Sequence, residues 1–211
     1  MIGLLGAHRV GKSTLALTAA ANFDLKYIPV SISKMQEKHG FDSSDQSYSF
    51  GKRMIIQEHL YHDFERLLHT TSAGARFVQS VHKAALSLNK EGPKITEYIF
   101  DRTPLDLIGY TLIHAGDQLT ESQSKWLLDY IQRCIDLTNK YFKSIVQIQP
   151  GIPLVSADTS AKASLGMMEH LNAIYMAYLL DSRVRVKRDL MPREITDIVE
   201  RLNFLKENQH V

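Results

Sequence analysis

Gly6-Ala7-His8-Arg9-Val10-Gly11-Lys12-Ser13-Thr14 is the stretch that decides how the rest of this 211-residue chain is read. Two glycines bracket four residues and are followed by a lysine and two hydroxyl side chains, the G-x-x-x-x-G-K-[ST] spacing of a phosphate-binding loop. The apolar run Met1–Leu5 before it suits a buried strand. Leu15-Ala16-Leu17-Thr18-Ala19-Ala20-Ala21 after it is rich in helix formers. Strand, glycine-bounded turn and helix are the parts an anion cradle requires, because backbone N–H groups and the positive end of the helix dipole then converge on one spot. Lys12 is expected to reach the outer phosphates, Ser13 to ligate Mg²⁺, and Arg9 to reach a phosphate or ribose. The His8 side chain is expected to face outward. A nucleoside triphosphate is the ligand this spacing implies, with Mg²⁺ as its companion ion.

Composition narrows the setting. The length suits one domain, residues 1–211, and 44% hydrophobic with 23% charged residues is enough to build a core and a solvated surface. A single cysteine, Cys134, excludes an internal disulfide framework and fits a reducing compartment. No apolar run approaches the roughly 20 residues of a membrane span, and the N-terminus lacks the charged segment of a secretory signal. A cytoplasmic protein without a membrane partner is therefore expected. The formal net charge of +2 does not by itself demand a nucleic acid. No internal repeat or low-complexity stretch is visible.

Along the chain, strand and helix signals alternate. Lys26–Val30, Ile95–Phe100, Ser144–Ile148 and Val184–Val186 read as further strands. Phe50, Met54, Tyr61, Phe64 and Leu68 keep to one face of a long helix, with Ser43–Gln46 as its cap. A separate helix through Phe77, Val81, Ala84, Ala85 and Leu88 is expected to stop at Gly92-Pro93. Thr120 and Gln123 form a capping box before a helix carrying Trp126, Tyr130, Ile131 and Cys134. Met167–Leu180 and a last helix opened by Pro192 complete the pattern. This order indicates an α/β fold, a parallel sheet with helices on both faces and ligands at the carboxyl ends of its strands. Gly6 and Asp101 both fall at such ends.

Asp101 follows an apolar strand, where a carboxylate can hold Mg²⁺ through water or accept a proton from an attacking hydroxyl. Arg102 stands where ATP-hydrolysing motors commonly place a water-activating acid. An arginine there can clamp an anionic acceptor and stabilise the transferred group. The competing structural reading makes Asp101 a cap for the helix starting at Pro104, with Arg102 on the surface.

Gly6–Thr14, the segment Ile99-Phe100-Asp101-Arg102-Thr103-Pro104-Leu105-Asp106 and the loop Gln149-Pro150-Gly151-Ile152-Pro153 resemble the thymidylate-kinase-like and nicotinamide-riboside-kinase-like P-loop kinases, particularly small bacteriophage members. The resemblance implies a five-stranded parallel sheet and a lid before the last strand, about residues 152–164. It assigns Arg102 to the acceptor phosphate and Asp101 to the metal or acceptor. Nucleoside kinases of this type often end their second strand with a glutamate base, where this chain has Pro29-Val30-Ser31. Lids of this type carry arginines, whereas Lys162 is the one lysine or arginine between Pro150 and Asp181. It becomes the candidate lid cation.

The acceptor pocket is expected between the second and third strands. Arg53 and Gln57, four apart on the long helix, can pair with a phosphate and read a base edge, with Phe50 as a stacking surface. Asp106 and Tyr110 lie a turn apart on the next helix and can line the same cleft, although Asp106 equally suits a helix N-terminal turn. Arg185, Lys187 and Arg188 can flank an adenine, touch a nucleic-acid backbone or simply solvate a strand end. The histidines show no zinc-ligand spacing, Cys134 reads as core, and Asn139-Lys140 lacks the aspartate of a GTP base reader. The expected activity is phosphoryl transfer from Mg·ATP to a deoxynucleoside 5′-monophosphate. A hydroxyl acceptor (a nucleoside, or 5-hydroxymethyluracil within DNA) and an ATP-dependent switch are the alternatives. A homodimer is compatible with all of these.

Overall fold

The computed structural model spans the chain, and all residues except 46, 89, 93–96, 117 and 153–164 are described. β1 (Ile2–Leu5) has all four side chains buried, as a central parallel strand must. It pairs in parallel with β3 (Tyr98–Phe100) on one side and β4 (Ser144–Ile148) on the other. β2 (Lys26–Ile28) adds outside β3 and β5 (Lys187–Met191) outside β4, giving the order β2-β3-β1-β4-β5. The connection after β1 runs to β2 on one side, whereas the connection after β3 crosses β1 to reach β4 on the other. A crevice therefore opens at the carboxyl end of β1.

Among the described residues, six helices lie between strands and a seventh follows β5. α1 (Lys12–Phe23) packs with α7 (Ile198–Glu207). α3 (Phe50–Ser87), α4 (Pro104–Ile113), α5 (Glu121–Tyr141) and α6 (Leu165–Leu180) pack among themselves. α2 (Ile32–Lys38) leans on α3. Leu4, Leu15, Phe64, Phe100, Ile108 and Tyr175 lie in the core with no exposed surface.

Several boundaries differ from expectation. The two helices read across residues 50–92 are one 38-residue helix, α3, with Ser49 rather than Ser43–Gln46 as its cap. Between the two stripes the one glycine is Gly74, and a single interior glycine costs about 1 kcal/mol, too little to break the helix. Burial along α3 ends at Leu68. Phe77, at 70% exposure, and its stripe project past the core rather than into it. The expected stop at Pro93 lies outside the described residues, as do Ile95 and Thr96 of the expected third strand. α2 was not expected. The fifth strand begins at Lys187, not Val184, because its register against β4 pairs Ser144 with Lys187. Proline at 29 ends β2 two residues early. The last helix starts at Ile198 behind an Asp197 cap, and Pro192 instead opens the loop leading to it. The Thr120–Gln123 capping box forms as read.

Candidate functional site

The phosphate loop is shaped by its ends. Gly6 adopts φ 153° with the position of a Cβ only 2.7 Å from the Ile148 carbonyl oxygen, and Gly11 adopts φ 85° as the N-cap of α1. Only glycine fits both. Arg9, at φ 60°, is the loop's one non-glycine residue in left-handed backbone. Lys12 is 5% exposed, and its ammonium donates to the carbonyls of Gly6 at 2.6 Å and Ala7 at 2.5 Å. Burial, reinforced by the nearby Arg102 charge, lowers its pKa to about 7. This is an ammonium with much to gain from an anion.

Asp101 ends β3 opposite the loop. Its Oδ1 accepts the Val30 N–H and its Oδ2 accepts the hydroxyls of Ser13 and Tyr27, each at 2.8 Å. Ser13 and Asp101 thus bring two oxygen donors together at the start of α1. Mg²⁺ prefers few protein ligands, mostly oxygen, with phosphates and waters completing its octahedron. The pair fits that ion, and among the described residues no group of three or more His, Cys, Asp or Glu offers an alternative metal site.

Arg102 does not lie on the surface, contrary to the competing reading. Its side chain is 12% exposed and is held at the edge of hydrogen-bonding range by Asp106 at 3.4 Å, Tyr110 at 3.5 Å and His8 Nδ1 at 3.4 Å. Burial would lower its pKa, but Tyr110 and Asp106 outweigh that and keep the guanidinium charged. Such long contacts orient the planar fork without saturating its donors. Nor does Asp101 cap α4. Thr103 is the N-cap and Asp106 its capping-box partner, accepting the Thr103 N–H at 2.7 Å. Asp106 is fully buried, and burial raises its pKa against the lowering pull of Arg102 and Lys12.

His8 turns inward rather than outward. Its ring lies 5.1 Å from that of Tyr110, and burial together with Arg102 drops its pKa to about 3. A neutral imidazole can accept from Arg102 without repelling it. The other loop residues, Ala7, Val10 and Thr14, serve in two ways. Ala7 and Val10 are buried against the sheet, and Thr14 joins Arg9, Gly11 and Lys12 on the wall of a cavity of about 450 Å³. Pro29–Ser33, Asp101 and Arg102 form the far wall.

The expected acceptor residues have other partners. Gln57 is 5% exposed, its side-chain oxygen accepting the Tyr130 hydroxyl at 3.0 Å. Arg53 donates to the Tyr48 carbonyl at 3.1 Å. Phe50 packs edge-on against Trp126 at 6.0 Å. None of the three lines the 450 Å³ cavity. Lys187 and Arg188 are tied to the carbonyls of Asn208 and Asp181. Lys162 lies outside the described residues.

Two partners were missed from sequence. Tyr27 gave no signal, since an aromatic residue on a short strand is ordinary. Arg201 did leave one. It lies three residues after Ile198 and four before Leu205, placing a cation on the apolar stripe of α7. It is buried and donates through Nη1 to the Val10 carbonyl at 2.7 Å.

No protein-family model matches the chain, and no curated protein does. Solved structures do. A deoxyadenosine kinase from M. mycoides, with products dCMP and a flexible dCDP bound, aligns with a TM-score of 0.57 at 13% identity, over 99% of this chain and 98% of that one. The YorR protein from Bacillus subtilis, in complex with phosphorylated GDP, gives a TM-score of 0.48 at 16% identity, over 99% and 96%. The first establishes a shared fold, a five-stranded parallel sheet of the P-loop kinase type. Among the described residues, no helix is long and apolar enough to cross a membrane.

Proposed function

We propose that this chain transfers the γ-phosphoryl of ATP to the phosphate of a nucleoside monophosphate, most specifically a deoxynucleoside 5′-monophosphate. The observation that carries the reading is the balance of charge around the cavity. Arg102, Lys12 and Arg9 face it, while Asp101 is the only carboxylate among its described lining residues. Both Asp101 oxygens already accept hydrogen bonds. A hydroxyl acceptor needs a base to take its proton. A phosphate acceptor arrives as an anion and needs cations instead.

In this reading the loop amides and Lys12 hold the β- and γ-phosphates, and the ammonium exchanges two carbonyls for phosphate oxygens. Ser13 and Asp101 would hold Mg²⁺, which supplies charge neutralisation between the phosphates. Arg102, oriented by His8, Tyr110 and Asp106, receives the acceptor phosphate and stabilises charge on the migrating group. Closure of a lid over the cavity would exclude water, with Lys162 as a candidate cation. The dCMP and dCDP of the M. mycoides protein support a deoxynucleotide acceptor. Its designation as a deoxyadenosine kinase supports a second reading, a nucleoside hydroxyl as acceptor.

Labelled ATP offered with each nucleoside monophosphate, each nucleoside and hydroxymethylated DNA separates these readings. The expected result is label in a nucleoside diphosphate, with nucleosides and DNA unlabelled. Label in a monophosphate or in DNA moves the acceptor to a hydroxyl. ADP formation at the same rate without any acceptor would identify an ATP-dependent switch and sink the proposal.

A further inference from the structure

α7 carries a charge that this transfer scheme leaves unused. Arg201 is 1% exposed, and its guanidinium lies against the back of the loop, 2.8 Å from where a Cβ on Gly11 would sit. Nη1 donates to the Val10 carbonyl at 2.7 Å and Nε to the Ile195 carbonyl at 2.9 Å. Nη2 is buried with no hydrogen-bond partner. No carboxylate pairs with it among the described residues, and burial alone displaces its pKa, downward. A buried cation without a counter-anion is a costly arrangement. The nearest place for a compensating anion is the other side of the loop.

Peptide geometry says how the two sides communicate. All described peptides are trans, so the Gly11 N–H points opposite to the Val10 carbonyl. Anchoring that carbonyl on Arg201 therefore aims the Gly11 N–H away from α7, toward the cavity that Gly11 lines.

We infer that Arg201 is a positioning residue of the donor site, fixing the Val10–Gly11 peptide toward the triphosphate and adding an uncompensated positive charge behind it. This rests on the reading of the loop as the ATP site. Arg201 touches no phosphate; it acts through the loop. Polyphosphate binding supplies the counter-charge that the fold omits, so donor affinity and loop stability are coupled through α7.

The test is titration of the full chain with Mg·ATP and with inorganic tripolyphosphate, for wild type, Arg201→Lys and Arg201→Gln. Lysine keeps the charge, whereas glutamine keeps a hydrogen-bond donor without it. For both ligands, affinity is expected within about threefold of wild type for lysine and at least tenfold weaker for glutamine. In turnover assays the donor KM should rise for Arg201→Gln while the acceptor KM stays put, a split that a merely structural role would not produce. Equal affinities for the two variants overturn the inference, whatever their melting temperatures. If Arg201→Gln is too unstable to titrate, the tripolyphosphate-induced rise in Tm of Arg201→Lys decides. A rise matching wild type supports the charge, and its loss overturns it. Wild type that binds tripolyphosphate but not ATP removes the ATP reading and leaves the Arg201 comparison intact; wild type that binds neither overturns both.

Discussion

The loop wall of this cleft and the wall that α3 makes with its neighbours, outside the cavity, are built on different physics. On the loop side, the contacts of Lys12 and Asp101 are short, and three of them involve backbone. Lys12 reaches two loop carbonyls, Asp101 accepts three donors at 2.8 Å, and Gly6 and Gly11 occupy conformations closed to other residues. On the α3 side, Arg53, Gln57 and Phe50 reach Tyr48, Tyr130 and Trp126, so their chemistry is shared with packing. A rigid anion would be matched by such a preorganised wall. The α3 wall, whose three residues stay out of the cavity, is made of ordinary core contacts. Arg102 is buried like the first wall but held at 3.4–3.5 Å, more loosely than either.

The sharpest way to break that contrast is to remove the cations in turn. Lys12→Met is expected to cost about 1,000-fold in turnover, at the upper end for loss of a preorganised charge, with ATP binding lost as well. Arg102→Gln should cost about 100-fold, concentrated in kcat and in acceptor KM, with donor affinity unchanged. Arg102→Lys should recover less than tenfold, because an ammonium cannot reproduce the bidentate fork. Single-turnover kinetics with separate donor and acceptor titrations check both. An Arg102→Gln enzyme with a weakened donor KM alone would place that residue on the loop wall and erase the distinction.

The same contrast explains what could be read without a structure. The loop is legible because its backbone conformation dictates glycine at 6 and 11, with Lys12 following at the spacing of a phosphate-binding loop. Asp101 and Arg102 are legible because they follow an apolar strand whose end must open at the crevice. Central strands β1 and β4, buried throughout, were found nearly to the residue, whereas edge strand β5 carries Lys187, Arg188 and Asp189 and hides its signal. α3 was split in two because an apolar stripe ordinarily means burial, and past Leu68 the stripe continues without a core to face. His8 was misplaced because loop residues are usually solvated. The pull of Arg102 and the Tyr110 ring depends on a contact 94 residues away in sequence, which no local pattern encodes.

The α3 wall gives a smaller, mixed effect. Gln57→Leu removes an acceptor from the buried Tyr130 hydroxyl, which keeps a longer contact of 3.3 Å to the Gln57 carbonyl. The expected loss is about 1 kcal/mol, a fall in Tm of roughly 2–4 °C for a chain of this size. If Gln57 also reads the base, the ranking of nucleobases should flatten in the same variant. Thermal melts beside acceptor kinetics on all four bases separate the two roles. A lower Tm with an unchanged ranking would confine Gln57 to the seam between α3 and α5.

The smallest effect lies far from both walls and serves as their control. His210 is fully buried near the C-terminus, with Nε2 against Asp189 at 2.8 Å and Nδ1 without a partner. Burial lowers its pKa, with Lys187 and Lys143 acting in the same direction and Asp189 opposing. Below pH 6.5 the unfolded chain therefore takes up the proton more readily than the folded one, and stability must fall as pH falls, by at most about 1.4 kcal/mol per pH unit for one group. His114, lowered to about 4 by burial first and by Arg53 second, adds to the same acid limb. His210→Gln should flatten part of the acid limb in urea midpoints measured between pH 7 and 5, while leaving both KM values at pH 7 unchanged. An altered donor KM in that variant would mean that the C-terminal segment reaches the loop through α7. The loop wall would then extend to the end of the chain rather than stopping at Arg201.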